Sequence, residues 1–433
     1  MQHFSALDYL KIDIANNFGK DKLSWQERLA WFNENANKYG DDFRLNMTHM
    51  FHLSTEADNE SLYLAGLDVY CRYIQHPEIP VEYYVSLDCT SSVIQWMSIL
   101  SGDINGAEMS NVIDTGKRRD AYTEIYNSMR NNPAFTAGLT RSDIKNAIMT
   151  YFYGSKAVPK KVFGSDKAFD AFEKSLANIL PNCVSLRDKL LSTWQSDTLT
   201  HEWVMPDDFH VRTYVKVTKE EDCIFKGKWL PKPIKYTVNE AKDYGVANAA
   251  NTVHSIDGMA VREMLCRCML PMEKKESLNK ILYSSKTKSQ LKYEINEDSK
   301  LLEILIKHYI RCGFLSSRIF QYITEDSVGI LNKYNVLNKA QKLFATIPQK
   351  SFPIYTVHDC FFAHPNNMNI VREQFSNIMN EVARSSILLY IIGQITHEKD
   401  YVHFNDRFTV NLRRNQKLFL QRFASVGTDY AIS

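Results

Sequence analysis

The sequence predicts a helix-rich α/β protein in which a small acidic sheet is interrupted by a large, mainly helical region. Two apolar, β-rich runs, VEYYVSL and IYTVH, each lead directly into an aspartate, Asp88 and Asp359. Most of the chain between them has apolar residues at helical spacing. With 433 residues, of which 44% are apolar, the chain is long enough for two or three domains or subdomains.

The elements can be followed along the chain. Residues 21–75 and 118–195 show mainly helical spacing, with a turn expected at 181–182. Residues 203–240 contain the runs HVRTYVKV, CIFKGKWL and PIKYTV, which predict a hairpin or small sheet. Residues 252–350 return to helices, and a Lys/Ser-rich stretch, SLNKILYSSKTKSQLK, is expected to interrupt them.

Charge and cysteine usage limit the class of protein. The formal net charge is only +2, whereas a protein that coats DNA is usually far more basic; a basic cleft in a balanced chain remains compatible with nucleic acid. The eight cysteines include no CxxC pair, which indicates reduced thiols rather than a zinc site. Without a long apolar run near the start or elsewhere, we expect a cytoplasmic protein.

Asp88 and Asp359 are the first candidate functional residues. An acid at the end of a buried strand must be solvated, paired or bound to a cation. Two such acids brought together repel each other unless cations lie between them, and two Mg²⁺ ions would suit the pair. Each acid taken alone is also explained as an ordinary strand-end aspartate.

The segment GLTRSDIKNAIMTYFYGSK, residues 138–156, is the most informative part of the chain. In a helix it would place Arg141, Lys145, Met149 and, nearly, Tyr153 along one side. Cations suit a triphosphate, and a ring suits stacking against a base pair. Spacing alone also fits the solvated face of an amphipathic helix.

These segments together resemble the phage-type, single-subunit RNA polymerases. Residues 140–155 are similar to that family's motif B, T-R-x-x-x-K-x-x-x-M-T-x-x-Y-G-S, while DCTSSVIQ resembles motif A and VHD, ending at Asp359, resembles motif C. NTVHSIDG is similar to a VHSxDG element, and WVMPDDFHV to a W-x-x-P-D-G-F-x-V strand. NNFGKDKLSWQERLAWFNEN resembles a family stretch that contains a triphosphate-facing lysine. All six occur in the family's order.

The resemblance implies which residues would bind metal and triphosphate. Asp88 and Asp359 would hold two Mg²⁺ ions. Lys145, Arg141 and Lys22 would contact the triphosphate of the incoming nucleotide.

The resemblance also implies how the sugar would be selected. Tyr153 would stack at the active site and, with His254, recognise the ribose 2′-hydroxyl; His358 would steady the primer end, and Gly154 would permit close backbone approach after the helix. Related DNA polymerases carry a glutamate five residues after the motif A aspartate, and Val93 stands there instead. These features favour RNA as the product, although RNA polymerases usually have glycine at this position.

The fold implied is a right-hand polymerase fold with palm and fingers that lacks the N-terminal domain and thumb. We expect a palm-associated helical region at residues 1–87 and palm motif A at 88–110. The fingers would follow at 111–350 and contain a hairpin at 203–240 and a long insertion at 265–350. The palm with motif C and the C-terminal segment would occupy 351–433.

A second polypeptide is expected to complete the enzyme. Fewer than ninety residues precede Asp88, and the family's DxxGR motif is absent. A palm without its early strands would expose a sheet edge and an apolar face. The chain therefore resembles the larger subunit of split, heterodimeric RNA polymerases of certain short-tailed phages, with the phage-infected bacterial cytoplasm as its setting and a partner that supplies the N-terminal domain, thumb and early palm strands.

Lysines in the hairpin and the insertion are candidate DNA contacts. Each set is equally explained as a solvated, charged surface, and a DNA-melting or single-strand-binding factor is an alternative to promoter reading by the hairpin. The main candidates are Lys216, Lys226, Lys228, Lys286 and Lys288.

The sequence thus predicts a DNA-dependent RNA polymerase that adds ribonucleotides to an RNA 3′ end on a DNA template. Two alternatives remain: a DNA polymerase or primase-like enzyme with the same palm, and a non-catalytic DNA-binding subunit that kept the fold.

Overall fold

A helix-rich α/β architecture, as the sequence predicts, is present in a computed structural model that describes residues 1–39, 51–52, 54–130, 132, 134–135, 138–229, 232–290 and 292–433. The helices before the large hairpin are α1 (Ala6–Ala15), α2 (Trp25–Tyr39), α3 (Glu60–Gln75), α4 (Ser92–Ser101), α5 (Ile104–Met109), α6 (Ala121–Met129), α7 (Arg141–Phe152), α8 (Ala157–Phe163), α9 (Asp166–Ile179) and α10 (Pro181–Ser192). Those after it are α11 (Ala247–Cys268), α12 (Met272–Tyr283), α13 (Ser285–Ser289), α14 (Glu297–Cys312), α15 (Ile319–Tyr322), α16 (Gly329–Lys333), α17 (Leu337–Thr346), α18 (Met368–Arg384), α19 (Ile387–Ile395) and α20 (Arg407–Val426).

The strands are short and antiparallel. β1 (Val85–Asp88) lies far from the others in sequence, and its sheet is completed by β8 (Ile354–Val357) and β9 (Cys360–Ala363). The hairpin region contains β2 (Thr200–Val204), β3 (His210–Tyr214), β4 (Lys216–Glu221), β5 (Ile224–Phe225), β6 (Lys228–Trp229) and β7 (Ile234–Ala241). β2 pairs with β3, β4 with β7, and β5 with β6, which confirms the predicted hairpin.

The three-stranded sheet has the order β1-β9-β8. Asp88 pairs with Cys360, and Cys360 pairs with Val357, so Asp88 lies at the end of the sheet where β8 turns into β9. Since cross-strand partners share a face, these side chains lie on one face. The other face carries Leu87 and Phe361, which are buried in the main apolar core. The register thus brings the two predicted acids to the same end of the sheet.

The edge of β1 that faces away from β9 is covered. The carboxylate of Asp13 in α1 accepts a hydrogen bond from the backbone N–H of Ser86 (2.8 Å). Further along, Cys89 pairs with Ile432, and Ser433 donates its N–H to the carbonyl of Asp88 (2.9 Å). The expectation of an exposed edge is therefore wrong for β1.

The opposite edge of the sheet, formed by β8, is open. Among the described residues no other strand pairs with it. Tyr355 and Val357 of this edge strand are 59% and 61% exposed. The expected exposed edge is therefore found on this side only.

Residues 270–347 fold around an apolar cluster of their own, separate from the main core, with Leu278, Leu302, Ile306, Phe320 and Leu331 fully buried in it. This agrees with the predicted helical insertion. The Lys/Ser-rich stretch expected to interrupt the helices is itself helical, in α12 and α13.

The turn expected at residues 181–182 lies slightly earlier. Helix α9 ends at Ile179, and Pro181 is already the first residue of α10. Its fixed φ suits the first helical position, where its missing N–H costs nothing.

Two serines of the insertion donate hydrogen bonds to a buried carboxylate of α11, which is itself ion-paired. The carboxylate of Glu263 accepts hydrogen bonds from the side chain of Ser316 and from the N–H (3.1 Å) and hydroxyl (2.7 Å) of Ser317. Arg267 donates to Glu263 (3.2 Å) and to Glu381 of α18 (2.6 Å). Each of these buried charges is therefore met by donors or by an opposite charge, as burial requires.

In the part of the chain that the structure describes, no helix combines the length and the apolarity needed to cross a bilayer. All eight cysteines lie within the described residues, and none forms a disulfide.

Asp13 is buried where α1 meets the sheet. Besides Ser86, its carboxylate accepts from the hydroxyl of Tyr83 (2.9 Å) and the side-chain amide of Asn17 (3.2 Å). Burial raises the pKa of Asp13 to about 6, although the hydrogen bonds from Ser86 and Tyr83 favour the charged form. Its negative charge therefore costs free energy at neutral pH.

We expect Asp13→Asn to remove part of the pH dependence of stability. Because the native state binds this proton more tightly than the unfolded state, the parent loses stability as pH rises from about 4 to 6. The variant avoids this loss, so it should gain at most about 3 kcal/mol relative to the parent between pH 4 and pH 8. Urea unfolding of both proteins at the two pH values measures this; an equal difference at both would contradict it.

Candidate active site

Helix α7 carries the predicted row of cations and begins where the sequence indicates. Thr140 is its N-cap: the Thr140 hydroxyl accepts from the N–H of Asp143 (3.3 Å), and the Asp143 carboxylate accepts from the N–H of Thr140 (2.9 Å). This reciprocal capping box satisfies two otherwise unpaired donors of the first turn. Ile144 and Ile148 bury one side of the helix, which leaves Lys145 exposed on the other.

Asp88 and Asp359 come together in this structure. Asp88 is the last residue of β1, and Asp359 lies in the two-residue turn between β8 and β9, after His358. His358 has φ 54°, a left-handed conformation that histidine adopts only occasionally. Burial and then the negative charge of Asp359 raise the pKa of Asp88 to about 6.

Two predicted cations oppose this negative charge. Lys145 and Lys22 both act to lower the pKa of Asp88, so their ammonium groups lie within electrostatic range of the acid pair. Among the described residues, no carboxylate forms an ion pair with Lys145, whose Nζ lies 5.8 Å from the ring centre of Tyr122. Lys22, in contrast, is paired with its neighbour Asp21.

Arg141 is less available than the sequence suggests. Its guanidinium forms a two-pronged ion pair with Asp120, with Nε–Oδ2 at 2.7 Å and Nη2–Oδ1 at 2.9 Å, and also donates to the hydroxyl of Thr123 (3.1 Å). The ion pair keeps the pKa of Asp120 low despite burial. A phosphate that binds Arg141 would have to share the guanidinium with Asp120 or displace the Asp120 carboxylate. Asp120 lies outside every motif used in the sequence analysis.

Tyr153 and His254 are neighbours. Their ring centres are 4.7 Å apart and their planes are inclined by 61°. Burial, and then the charge of His358, lower the pKa of His254, so its imidazole is neutral at pH 7. Burial and Asp257 raise the pKa of Tyr153 to about 12, so its hydroxyl keeps its proton. The predicted pairing of these two rings is thus present in the geometry.

Asp257 is a third acid of the site that the sequence analysis did not single out. It is one helical turn after His254 on α11, so the two share a face. Its Oδ1 accepts from the indole N–H of Trp96 (2.7 Å). Burial raises its pKa to about 6, with Asp359 and Asp88 adding to the effect and His358 opposing it. Its position in the NTVHSIDG segment is the sequence feature that could have identified Asp257 as a site residue.

Two further arginines fix the loop that carries Lys22. The buried guanidinium of Arg28 donates to the carbonyls of Leu23 (2.9 Å) and Asp21 (2.7 Å), and Arg118 donates to the carbonyl of Lys22 (3.4 Å). Burial and the charge of Arg118 lower the pKa of Arg28 to about 9. The loop conformation therefore depends on buried charges rather than on apolar packing alone.

Gly154 follows α7 with φ 94°. A Cβ atom at this position would lie 2.7 Å from the Cβ of Val246 and 3.0 Å from a methyl carbon of Leu191. Both the backbone conformation and the available space require glycine here. Val93 is buried in the main core.

The candidate DNA contacts are dispersed. Lys216 is hydrogen-bonded to the side chain of Asn239 (2.7 Å), whereas Lys226 and Lys228 occupy the turn and the last strand of the β5–β6 hairpin. Lys288 is exposed on α13 of the insertion, and the side chain of Lys286 lies outside the described residues.

The residues present fit Mg²⁺ as a partly substrate-held ion. Within the described ranges, no group of three or more His, Cys, Asp or Glu side chains is arranged to hold a metal. Mg²⁺ commonly binds one or two carboxylates and completes its shell with water and phosphate oxygens. Asp88 and Asp359 provide such a pair, and the negative charge of Asp359 contributes, after burial, to the raised pKa of Asp88.

Comparisons with known proteins agree with the family resemblance. A family model described as DNA-dependent RNA polymerase matches residues 3–163. A probable DNA-directed RNA polymerase of Neurospora crassa is 28% identical over 164 residues, or 35% of this chain and 18% of the relative. One of Podospora anserina is 32% identical over 118 residues, or 26% of this chain and 12% of the relative. The resemblance to RNA polymerases is thereby confirmed.

Each match covers only part of this chain and part of the fungal relative. This chain spans less than a fifth of the length of either fungal relative over the matched regions. The family match includes Asp88 and α7 but not His254 or Asp359. The bacteriophage source and the heterodimer stay predictions.

We expect Gly154→Ala to be clearly more destabilising than Gly164→Ala. Both glycines have positive φ, 94° and 72°, so both substitutions carry a backbone cost of about 1 kcal/mol. Only at Gly154 does the new methyl group meet packed atoms, which adds about 1–3 kcal/mol. Chemical denaturation of the two variants compares them directly; similar losses would show that the contact with Val246 is not restrictive.

Proposed function

Because residues 3–163 are related to DNA-dependent RNA polymerases, we propose that this chain is the catalytic part of a phage-type, DNA-directed RNA polymerase. It would extend an RNA 3′ end on a DNA template with ribonucleoside triphosphates. The observation that carries the proposal is the meeting of Asp88 with Asp359 and Asp257 opposite Lys145. These residues come from four separate parts of the chain.

The reaction is the attack of an RNA 3′-hydroxyl on the α-phosphate of the incoming nucleotide, with pyrophosphate as the leaving group. Two Mg²⁺ ions bound by Asp88 and Asp359 would supply charge for activating the hydroxyl and stabilising the pyrophosphate. The protein's own contribution is positioning and electrostatic stabilisation. Lys145 is the best-placed cation for the triphosphate, since no carboxylate among the described residues neutralises it in an ion pair.

Recognition of ribose is proposed for Tyr153 and His254. A neutral imidazole can both donate and accept a hydrogen bond, which suits a 2′-hydroxyl. At the fifth position after Asp88, Val93 is buried and carries no charge that would repel this hydroxyl.

A second polypeptide is proposed to complete the sheet. The support is the open edge of β8, with Tyr355 and Val357 exposed beside the acid-bearing turn. Addition of a strand would pair the free backbone groups and cover both side chains. A phage-infected bacterial cytoplasm is the proposed setting.

We expect Asp88→Asn and Asp359→Asn each to reduce primer extension by about 100-fold or more, because each removes a charge needed for Mg²⁺. The assay is extension of an RNA primer on single-stranded DNA with Mg²⁺ and ribonucleotides. Asp197→Asn, at an exposed acid away from the sheet, is the matched control and should be active. Full activity of both sheet variants would reject a catalytic role for the two acids.

His254→Ala should weaken discrimination between ribonucleotides and deoxyribonucleotides by roughly tenfold, the usual effect of losing one hydrogen bond. Competition between the two nucleotide types in the same assay measures this ratio. His210→Ala, on the exposed β3 strand, provides a control that should leave it unchanged. A parent enzyme that prefers deoxyribonucleotides would instead favour the DNA polymerase alternative.

A further inference from the structure

The β4–β7 ribbon and the β5–β6 hairpin at its end form a projection whose side chains are mostly exposed on both faces. At its tip, Ile224, Phe225 and Trp229 are 57%, 63% and 68% exposed. The connecting residues Lys226 and Gly227 have φ 49° and 75°, the signature of a type I′ turn that matches the twist of a hairpin. A well-formed turn thus displays large apolar side chains to solvent.

Charges are distributed unevenly along this projection. In the stem, Lys219 is paired with Glu240 (2.8 Å) and Lys235 with Glu220 (2.6 Å). At the tip, Lys226 and Lys228 form no ion pair with any described residue. Two lysines that form no ion pair within the described chain therefore lie beside the exposed rings, and two exposed acids, likewise without an ion pair there, Glu221 and Asp222, precede this hairpin.

The two rings lie on opposite faces of the tip. Phe225 pairs across the hairpin with Lys228, while Ile224 pairs with Trp229. Since cross-strand partners share a face and neighbours along a strand alternate, each face presents one aromatic ring. Lys226 also lies 5.6 Å from the ring centre of Phe225.

The composition of the tip argues against reading of duplex sequence. From Ile224 to Trp229 the chain contains no Arg, Asn or Gln, so lysine is the one residue type there that makes two-pronged contacts with base edges in the major groove. Lysine is a flexible point charge better suited to phosphates. Exposed rings instead stack on base faces, which are accessible only where bases are unpaired.

We propose that this tip binds an unpaired nucleic-acid strand without sequence preference, with Phe225 and Trp229 stacked on bases and Lys226 and Lys228 in contact with phosphates. The assignment of that strand to the template or the transcript rests on the proposed polymerase function. Binding itself requires only the tip.

The test measures binding of the whole chain to a fluorescent oligothymidine and to a duplex of mixed sequence, by anisotropy at fixed low salt. We expect the double variant Phe225→Ala/Trp229→Ala to lose about tenfold or more in affinity for the single strand and to change little for the duplex. Lys219→Ala, which removes a paired stem lysine, is the matched control and should bind as the parent does. Trp229→Phe retains a ring and should recover most of the affinity.

Three outcomes would overturn the proposal: no binding of the single strand by the parent, unchanged binding by the double variant, or equal loss for single strand and duplex. Extension of a preformed RNA primer separates this result from the proposed function. The double variant should extend such a primer as the parent does, whereas loss of activity belongs to Asp88→Asn and Asp359→Asn. Tip binding by a parent that is inactive both alone and with the second polypeptide would retain this inference and reject the polymerase assignment.

Discussion

The arrangement of the site depends on the repulsion between carboxylates held close together in a partly buried place. Burial raises the pKa values of Asp88 and Asp257, and the negative charge of Asp359 adds to the effect at both. Without opposing charge such a group would separate or take up protons. Lys145 and Lys22 provide opposing positive charge. The three acids are held at a strand end, in a tight turn and on a helix. The site therefore favours the binding of positively charged groups.

The same constraint extends to the supporting layer. The loop that carries Lys22 is held by Arg28 and Arg118, and the edge of β1 is held by Asp13. Arg28 and Asp13 are buried and hydrogen-bonded, so leaving either charge unpaired would cost free energy, whereas Arg118 is partly exposed. The positions of the Lys22 loop and of β1 therefore depend in part on charged residues that lie outside the acid pair.

Local sequence signals were sufficient for the elements but not for their long-range partners. The helical spacing of residues 138–156, the β-rich runs of the hairpin region and the apolar runs before Asp88 and Asp359 predict those elements where they occur. The ion pair between Arg141 and Asp120 joins residues 21 positions apart with no shared motif. The cover over the β1 edge comes from residues 431–433. Asp257 acquires its role only when the sheet and α11 meet. Such contacts depend on tertiary packing, which periodicity and spacing do not encode.

The junction between the insertion and α11 limits how this chain can be shortened. Its separate core suggests a unit that could be exchanged or excised as a whole. Yet Ser316 and Ser317 belong to that unit, and they satisfy the buried carboxylate of Glu263 on α11. Excision would leave Glu263 with fewer hydrogen-bond donors, in the same helix that presents His254 and Asp257. The insertion thus has an apolar core of its own, but it also supplies the hydrogen bonds that stabilise a buried charge on α11. Any viable deletion must therefore also replace Glu263.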